Sequence, residues 1–471
     1  MHRPFPPPRS VERMLSGLAS VLVTVYCVGV VALFASGRLD LTLGASLLGV
    51  PIVLGLALVR PEWMILVLVA VPPYVISLIP PMRLNAVVLA TLFGFLLQGR
   101  LHLGPRTGVY PLAGIAVLAI TVRAAVPTPA AMAADAMLKL IVFYTLLMLT
   151  AYHAVARGRL RIDTFLNALL VGIVAQGILQ PFVGTISGFE SITRHPFRGQ
   201  FAYLAVMAFG VSYVRRSLRR AVGQRSYPVD SAMIPVFLCL TLIGYSRSAW
   251  IVCLSVFALV SVWTGRKTFW VVASLFLVLA LMVPLIGGRI LPESATGPQG
   301  LAVVTSGRSV LWEEVLSRGA GAFPLGNGWG YAESLTSTEL FGFEGEFILG
   351  DNPFVFLHND FLFLYVELGI IGLGLLVAYW LNLLQKIRRL ARSRVESARY
   401  EVRVLIPIIM VMFIVQLFDN GFAIQAVATR FFIAAGLVFG MYHIVRERAS
   451  SDIVEFDVMR DNQDAEVRTN Y

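Results

Sequence analysis

The sequence predicts an all-α, polytopic membrane protein of about 12–14 transmembrane helices with one large loop on the outer side. Composition is the first reason. The 471 residues are 57% hydrophobic and 14% charged, with a mean hydropathy of +0.78, whereas globular chains carry about 25% charged residues. Spacing is the second. A bilayer core of roughly 30 Å needs about 20 apolar residues per crossing, and nearly all of the chain outside one loop and the two tails reads in units of that kind. No room is left for a separate soluble domain. The third is where the basic residues sit. A net charge of +11 raises the idea of nucleic acid, but the Lys and Arg are scattered over many short connectors, which is the pattern of a membrane topology.

Arg3, Arg9 and Arg13 precede an apolar run from Leu15 to Ala35. A signal-peptide core spans only about 7–15 residues, so residues 1–14 are expected as a cytoplasmic N-terminus and the run as a first anchored helix. The expected spans lie near 15–36, 39–59, 63–80, 84–98, 108–122, 136–155, 162–184, 199–214, 230–245, 248–264, 268–286, 356–384, 403–425 and 427–445. Residues 15–286 thus hold about eleven helices, 287–355 the large loop, and 356–446 helices of about twelfth to fourteenth rank. The tail, 447–471, is cytoplasmic and, from Ser450 with Asp452, Glu455, Asp457, Asp461 and Asp464, polar and expected without fixed structure. Arg60, Arg100 with Arg106, Arg157 with Arg159 and Arg161, Arg215 to Arg225, Arg266 with Lys267, and the run Lys386–Arg403 all fall on connectors of the N-terminal side. Basic flanks resist translocation, so both ends are read as cytoplasmic and the loop as periplasmic or external. Cys27, Cys239 and Cys253 lie in apolar spans without CxxC or Cys/His spacing, which indicates neither a disulfide framework nor a metal site.

Inner arginines are explained by topology, so the outer ones carry the information. Arg194, His195 and Arg198 stand just before the span at 199–214, and Arg247 stands where two spans meet with almost no loop. A guanidinium so close to the hydrocarbon needs a partner or an anion. Arg308 precedes Leu311, Trp312, Val315 and Leu316, whose spacing makes residues 307–318 a candidate amphipathic helix on the membrane surface. Arginine suits a diphosphate, because its planar fork donates two hydrogen bonds and never deprotonates. Each arginine alone is equally explained by snorkelling to lipid phosphate or by pairing with an acid such as Glu190 or Glu313.

His358, Asn359 and Asp360 open the span at 356–384. A helix N-terminus favours anions and a neutral imidazole, so His358 is a candidate general base or positioner for a hydroxyl. Asp360 and Glu367 are seven residues apart and share a face, able to orient an arginine or His358. The passage Gly321–Tyr331 lacks the GK[ST] ending of a phosphate loop and is read as a tight turn that packs Trp329 and Tyr331 at headgroup level. Asp419 and Asn420, at an outer turn, are weaker candidates. Lys139 is the one clear charge inside a span.

Three pieces of this pattern together resemble the O-antigen ligase / O-antigen polymerase (Wzy-type) family of bacterial membrane glycosyltransferases. They are Ser246-Arg247-Ser248-Ala249; Gly307-Arg308 with Leu311-Trp312 and the following Pro-Leu-Gly-x-Gly-x-Gly turn; and His358-Asn359 leading to Glu367-Leu368-Gly369-Ile370-Ile371-Gly372. The likeness covers roughly residues 190–440. It implies a GT-C-like helical fold and an inverting transfer that needs no metal or cofactor, at the periplasmic face of the inner membrane. The donor it implies is an undecaprenyl-diphosphate-linked glycan, and the acceptor a lipid-linked repeat (polymerase) or lipid A-core or protein (ligase). A chain-length regulator and a flippase are the implied protein partners, besides the bilayer itself. Catalytic roles would fall on His358, Arg247 and Arg308, and substrate-binding roles on Arg194, Arg198, Trp312, Asn359, Asp360 and Glu367. Two other classes compete. A transporter or flippase would place ionisable residues or broken helices at the bilayer midplane. A polyprenyl-phosphate sugar transferase would be expected to carry an acidic pair in its first outer loop, where this chain has only Asp40.

Overall fold

The computed structural model describes residues 55–71, 81–99, 101, 108–126, 132–156, 160–187, 200–243, 247–264, 312–313, 316–317, 324–331, 359–419, 421–422 and 424–469. The expected spans near 15–36 and 268–286, and most of that near 39–59, lie outside them. Eleven helices follow one another: α1 Pro61–Ala70, α2 Pro81–Leu97, α3 Tyr110–Ala125, α4 Met132–Ala156, α5 Ile162–Ser187, α6 Gln200–Ala221, α7 Pro228–Ile243, α8 Arg247–Thr264, α9 Asp360–Ala391, α10 Glu396–Phe418 and α11 Gln425–Thr469. No strand occurs among the described residues. Five stretches, Ala134–Ala156, Ile162–Leu179, Asp360–Ala391, Glu396–Phe418 and Gln425–Glu447, are long and apolar enough to cross a membrane, and five shorter apolar helices accompany them. The chain is an all-α, multi-pass membrane protein.

Helix α11 forms the centre. It packs most extensively on α4 and also meets α9 and α10. The contact runs through Gly436 and Gly440, spaced as G-x-x-x-G, where a Cβ would stand 2.3 Å from the Met148 carbonyl oxygen and 2.8 Å from that of Tyr152. Only hydrogen at those two positions lets the backbones approach this closely, which is how helices associate where lipid tails remove any hydrophobic drive. Phe431, Phe432, Tyr379 and Trp380 then interlock α11 with α9, the Trp380 and Phe431 rings stacking with centroids 5.2 Å apart. A second layer sets α6 against α7, α8 and α10.

Four expectations from the sequence are corrected here. The run Lys386–Arg403 is not an open connector: α9 continues to Ala391, the turn takes only residues 392–395, and α10 starts at Glu396 rather than near 403. No helix breaker stands in that run, and Arg388 and Arg389 suit the negative end of α9. Arg215 is not a solvated flank. It is buried on α6, where its Nε donates to Asp230 Oδ2 at 2.8 Å, its Nη2 to Asp230 Oδ1, and its Nη1 to Asn167 Oδ1 at 2.8 Å. The tail beyond Ser450 continues α11 to Thr469, there being neither Gly nor Pro after Gly440 to end it. Lys139 is exposed, whereas Arg430, which composition hides inside an apolar run, is a cation fully buried in a span. Its guanidinium donates to the carbonyls of Ala426 (2.8 Å), Val69 (3.2 Å) and Val71 (2.9 Å). A cation thereby satisfies the orphan carbonyls at the C-terminal end of α1 and complements its dipole.

The Arg215–Asp230 pair yields a direct test. Asp230→Asn leaves a buried guanidinium without its counter-charge and should cost about 3–5 kcal/mol, lowering the unfolding midpoint of the detergent-purified protein. Arg215→Met combined with Asp230→Leu removes both charges and should restore most of that loss.

Candidate active site

One end of the bundle gathers Arg247, Asn359 and Asp360 among the residues that the sequence singles out. Gly210 of α6, Val256 of α8 and Pro407 of α10 meet, a Cβ at Gly210 lying 2.6 Å from Pro407 Cβ and 3.4 Å from Val256 Cγ2. Ten residues separate Gly210 from Gln200, nine separate Val256 from Arg247, and eleven separate Pro407 from Phe418. At 1.5 Å per residue these are rises of about 15, 14 and 16 Å. The start of α6, the start of α8 and the end of α10 therefore lie at one height. Side-chain bonds tie the group together. Tyr203 OH donates to Asp419 Oδ2 at 3.3 Å, joining α6 to the end of α10. Trp250 Nε1 donates to Thr241 O at 3.1 Å, joining the first turn of α8 to α7.

Helix α9 begins in the same place. Asn359 is its N-cap: Oδ1 accepts from Leu362 N at 2.9 Å, and Nδ2 donates to Leu417 O at 3.0 Å in the last turn of α10. Asp360 is fully buried, and its Oδ2 accepts from Phe422 N at 3.0 Å. Tyr144 OH donates to Phe422 O at 2.8 Å, so both backbone groups of Phe422 are held. Asp360 Oδ1 has no hydrogen-bond partner among the described residues. Asn359 and Asp360, expected as substrate contacts, commit these bonds to the scaffold and fix the point at which the chain emerges from α9.

Two turns further on, α9 breaks. Gly369 has φ 66° and ψ −160°, outside the helical region and in the half of φ space that favours glycine. The broken end frees carbonyls that must find donors, and the loop supplies them. Asn327 N donates to Val366 O at 2.8 Å and Gly328 N to Glu367 O at 3.3 Å. Gly330 N donates to the Glu367 carboxylate, which is fully buried. Gly326, Gly328 and Gly330 all have positive φ, which lets the turn curl around the helix end. One carboxylate contact of Glu367 is with the glycine turn. The turn corrects one reading, that of Trp329. Trp329 is buried edge-on against Phe363, with ring centroids 5.6 Å apart, and does not lie at a headgroup surface.

Of the remaining candidates, Trp312 lies in a helical fragment, half-buried, with residues 312–313 and 316–317 helical as the expected amphipathic segment requires. Arg247 is the first residue of α8, at the common height. Arg194, Arg198, Arg308 and His358 fall outside the described residues. Arg198 precedes Gln200 by two residues, and His358 adjoins the cap Asn359. Sequence reasoning missed Tyr203, Gln416 and Phe422. Gln416 Oε1 accepts from Trp380 Nε1 at 2.8 Å beneath Asp360, and no motif marks any of the three.

Fold and site together define a multi-pass helical membrane protein with a polar centre where four helix ends and a loop turn converge. Residues 232–377 match the family model described as O-antigen ligase. That stretch runs from α7 into α9 and includes Arg247, Arg308, Trp312, His358, Asn359, Asp360 and Glu367, leaving Arg194 and Arg198 outside it. The match makes this region similar to that family and supports an O-antigen ligase/polymerase-type function in general terms. No curated protein matches the chain significantly.

Two substitutions probe the break. Gly369→Ala would place a methyl 1.9 Å from Pro324 O in a backbone conformation that alanine resists, and should abolish the stable protein; Gly374→Ala, with nothing within 4 Å, should leave yield and unfolding midpoint unchanged. Glu367→Ala removes a buried charged acceptor, a loss of about 1–3 kcal/mol, and should speed proteolysis within residues 324–331 about tenfold.

Proposed function

We propose that the chain is a periplasm-facing glycosyltransferase of surface-polysaccharide synthesis. It transfers a glycan from an undecaprenyl-diphosphate carrier to a lipid-linked repeat, which is the polymerase reaction. The observation that supports it most is the common height of the α6, α8 and α10 ends beside the capped start of α9. Arg247 opens α8 at that height, and in the sequence Arg198 precedes Gln200 of α6 by two residues and His358 precedes the cap Asn359 by one. Basic inner connectors support an inner-membrane setting with both termini in the cytoplasm and the site end outward.

In this reading Arg247, Arg308 and Arg198, with Arg194 as neighbour, hold the donor diphosphate through forked hydrogen bonds. They stabilise the charge that collects on it as the bond to the sugar breaks. His358, kept neutral near a helix N-terminus, accepts the proton of the acceptor hydroxyl as its oxygen attacks the anomeric carbon from the opposite side, which inverts the configuration. The arginines supply the positive charge, so no metal is assigned a step. Asp360 fixes the start of α9, and its second oxygen is the acceptor available to orient His358 or a guanidinium. A transporter is a poorer reading. The deeply buried charges Arg215 and Arg430 are bound to protein groups, and the broken helix α9 is closed by the loop turn.

A deletion strain complemented with wild-type, Arg247→Ala, Arg247→Lys or His358→Ala genes tests this, with membrane levels and surface and lipid-linked glycans measured. Single repeats should accumulate on the carrier, and His358→Ala should reduce polymer at least 100-fold, as for loss of a general base at roughly 10²–10⁴. Arg247→Lys should rescue little, because a point charge cannot replace the fork. Long chains left on the carrier with a bare acceptor would make the enzyme a ligase. Full rescue by His358→Ala would remove the histidine from the mechanism.

A further inference from the structure

At the far end of the bundle, residues of α6, α8 and α10 line a cavity of about 480 Å³ that holds Arg219, Arg399 and Arg403 with Glu396, and Trp263 and Tyr400 in its wall. Arg219 lies nineteen residues along α6 from Gln200, a rise of about 28 Å. That nearly equals the hydrocarbon thickness of roughly 30 Å, so the cavity sits at the headgroup level of the leaflet opposite the candidate active site. Two of its arginines are held in place. Arg219 Nη2 donates to Tyr227 OH at 2.8 Å and pairs with Asp163 Oδ2 at 3.5 Å, and its Nε donates to Tyr400 OH at 3.2 Å. Arg403 lies over the Trp263 ring at 5.6 Å, with its buried Nε lacking a hydrogen-bond partner among the described residues.

We propose that this cavity binds a phosphate-bearing anion, namely the headgroup of an anionic phospholipid of that leaflet. Arg219 pairs with Asp163, which leaves Arg399 and Arg403 facing Glu396; the balance stays positive and selects an anion, and forked donors suit a phosphate. The volume falls within the range of small-molecule sites, about 300–1,000 Å³, and leaves space for a glycerol backbone beside the phosphate. The indole wall offers an apolar surface to the first carbons of the acyl chains. Basic pockets between transmembrane helices recognise anionic headgroups in this way. The proposal is independent of the reaction assigned to the other end.

Native mass spectrometry of the full-length, delipidated protein tests it, with phosphatidylglycerol, phosphatidylcholine or inorganic phosphate added. Phosphatidylglycerol should be retained over phosphatidylcholine. Arg399→Gln should weaken it about fivefold, and Arg399→Gln with Arg403→Gln about 25-fold, at a fivefold factor per basic residue. Arg399 is half-exposed, so the single variant should keep the wild-type unfolding midpoint and separates binding from folding. Arg388→Gln with Arg392→Gln, exposed basic residues at the same end, should retain wild-type affinity. Equal retention of both lipids, or an equal loss in that control pair, overturns the proposal. Displacement of the lipid by millimolar inorganic phosphate, or stabilisation by phosphate alone, overturns the lipid source and assigns the pocket to free phosphate.

Discussion

A helix that stops inside a membrane protein must find donors for its last carbonyls, and the structure around the candidate site follows from how α9 does so. An unsatisfied carbonyl in hydrocarbon costs several kcal/mol. At the Gly369 break the donors for Val366 and Glu367 are backbone N–H groups of a turn some forty residues earlier in sequence. That arrangement couples two things otherwise free to separate: the loop between α8 and α9, and the first two turns of the helix that His358 precedes. The turn also buries Trp329, whose contact with Phe363 lies on the same two turns of α9. Loop position and helix position are thus set by one group of hydrogen bonds.

The end of the bundle above the break is equally over-determined. Asn359 reaches α10, Asp360 holds the backbone of Phe422, Tyr144 holds its other side, and Tyr203 reaches Asp419. These bonds connect α4, α6, α9, α10 and the start of α11 without a charged pair between the named partners. The polar platform is built from caps and backbone bonds that the protein itself sets in place. Pre-organisation of that kind lowers the cost of fixing a charged transition state, because the dipoles are already in place before the substrate arrives.

Much of this was legible in the sequence, and the exceptions have physical reasons. Helix type and most boundaries follow from apolar run length, and the basic connectors give a consistent sidedness. Asn359 was recognisable as standing at a helix start, but its second bond, to Leu417, spans 58 residues and has no local signature. Glu367 reads as a helix-face acid because periodicity carries straight through Gly369; the break is visible only in three dimensions. Arg215 and Arg430 show the limit of charge counting. An arginine at a helix end and one inside an apolar run look like a flank and an anomaly, yet both are buried donors with assigned acceptors. The Gly436-x-x-x-Gly440 spacing did carry the α4–α11 contact in the sequence. Arg194, Arg198, Arg308 and His358 rest on sequence and on the family's pattern.

The centre of the bundle, α11, follows every other described helix in the chain. Nine-tenths of its span, 89% of the window within Gln425–Glu447, is enclosed by other helices. During synthesis the earlier helices enter the bilayer with their place for it vacant, and α4 meets lipid along the face that Gly436 and Gly440 later cover. The outermost turns of α9 are likewise incomplete until Phe422 arrives to meet Asp360. Closure of the core and completion of the candidate site are therefore the same late event in biogenesis. A ribosome that stalls before residue 425 releases a chain whose helices are inserted but whose interior remains open to lipid.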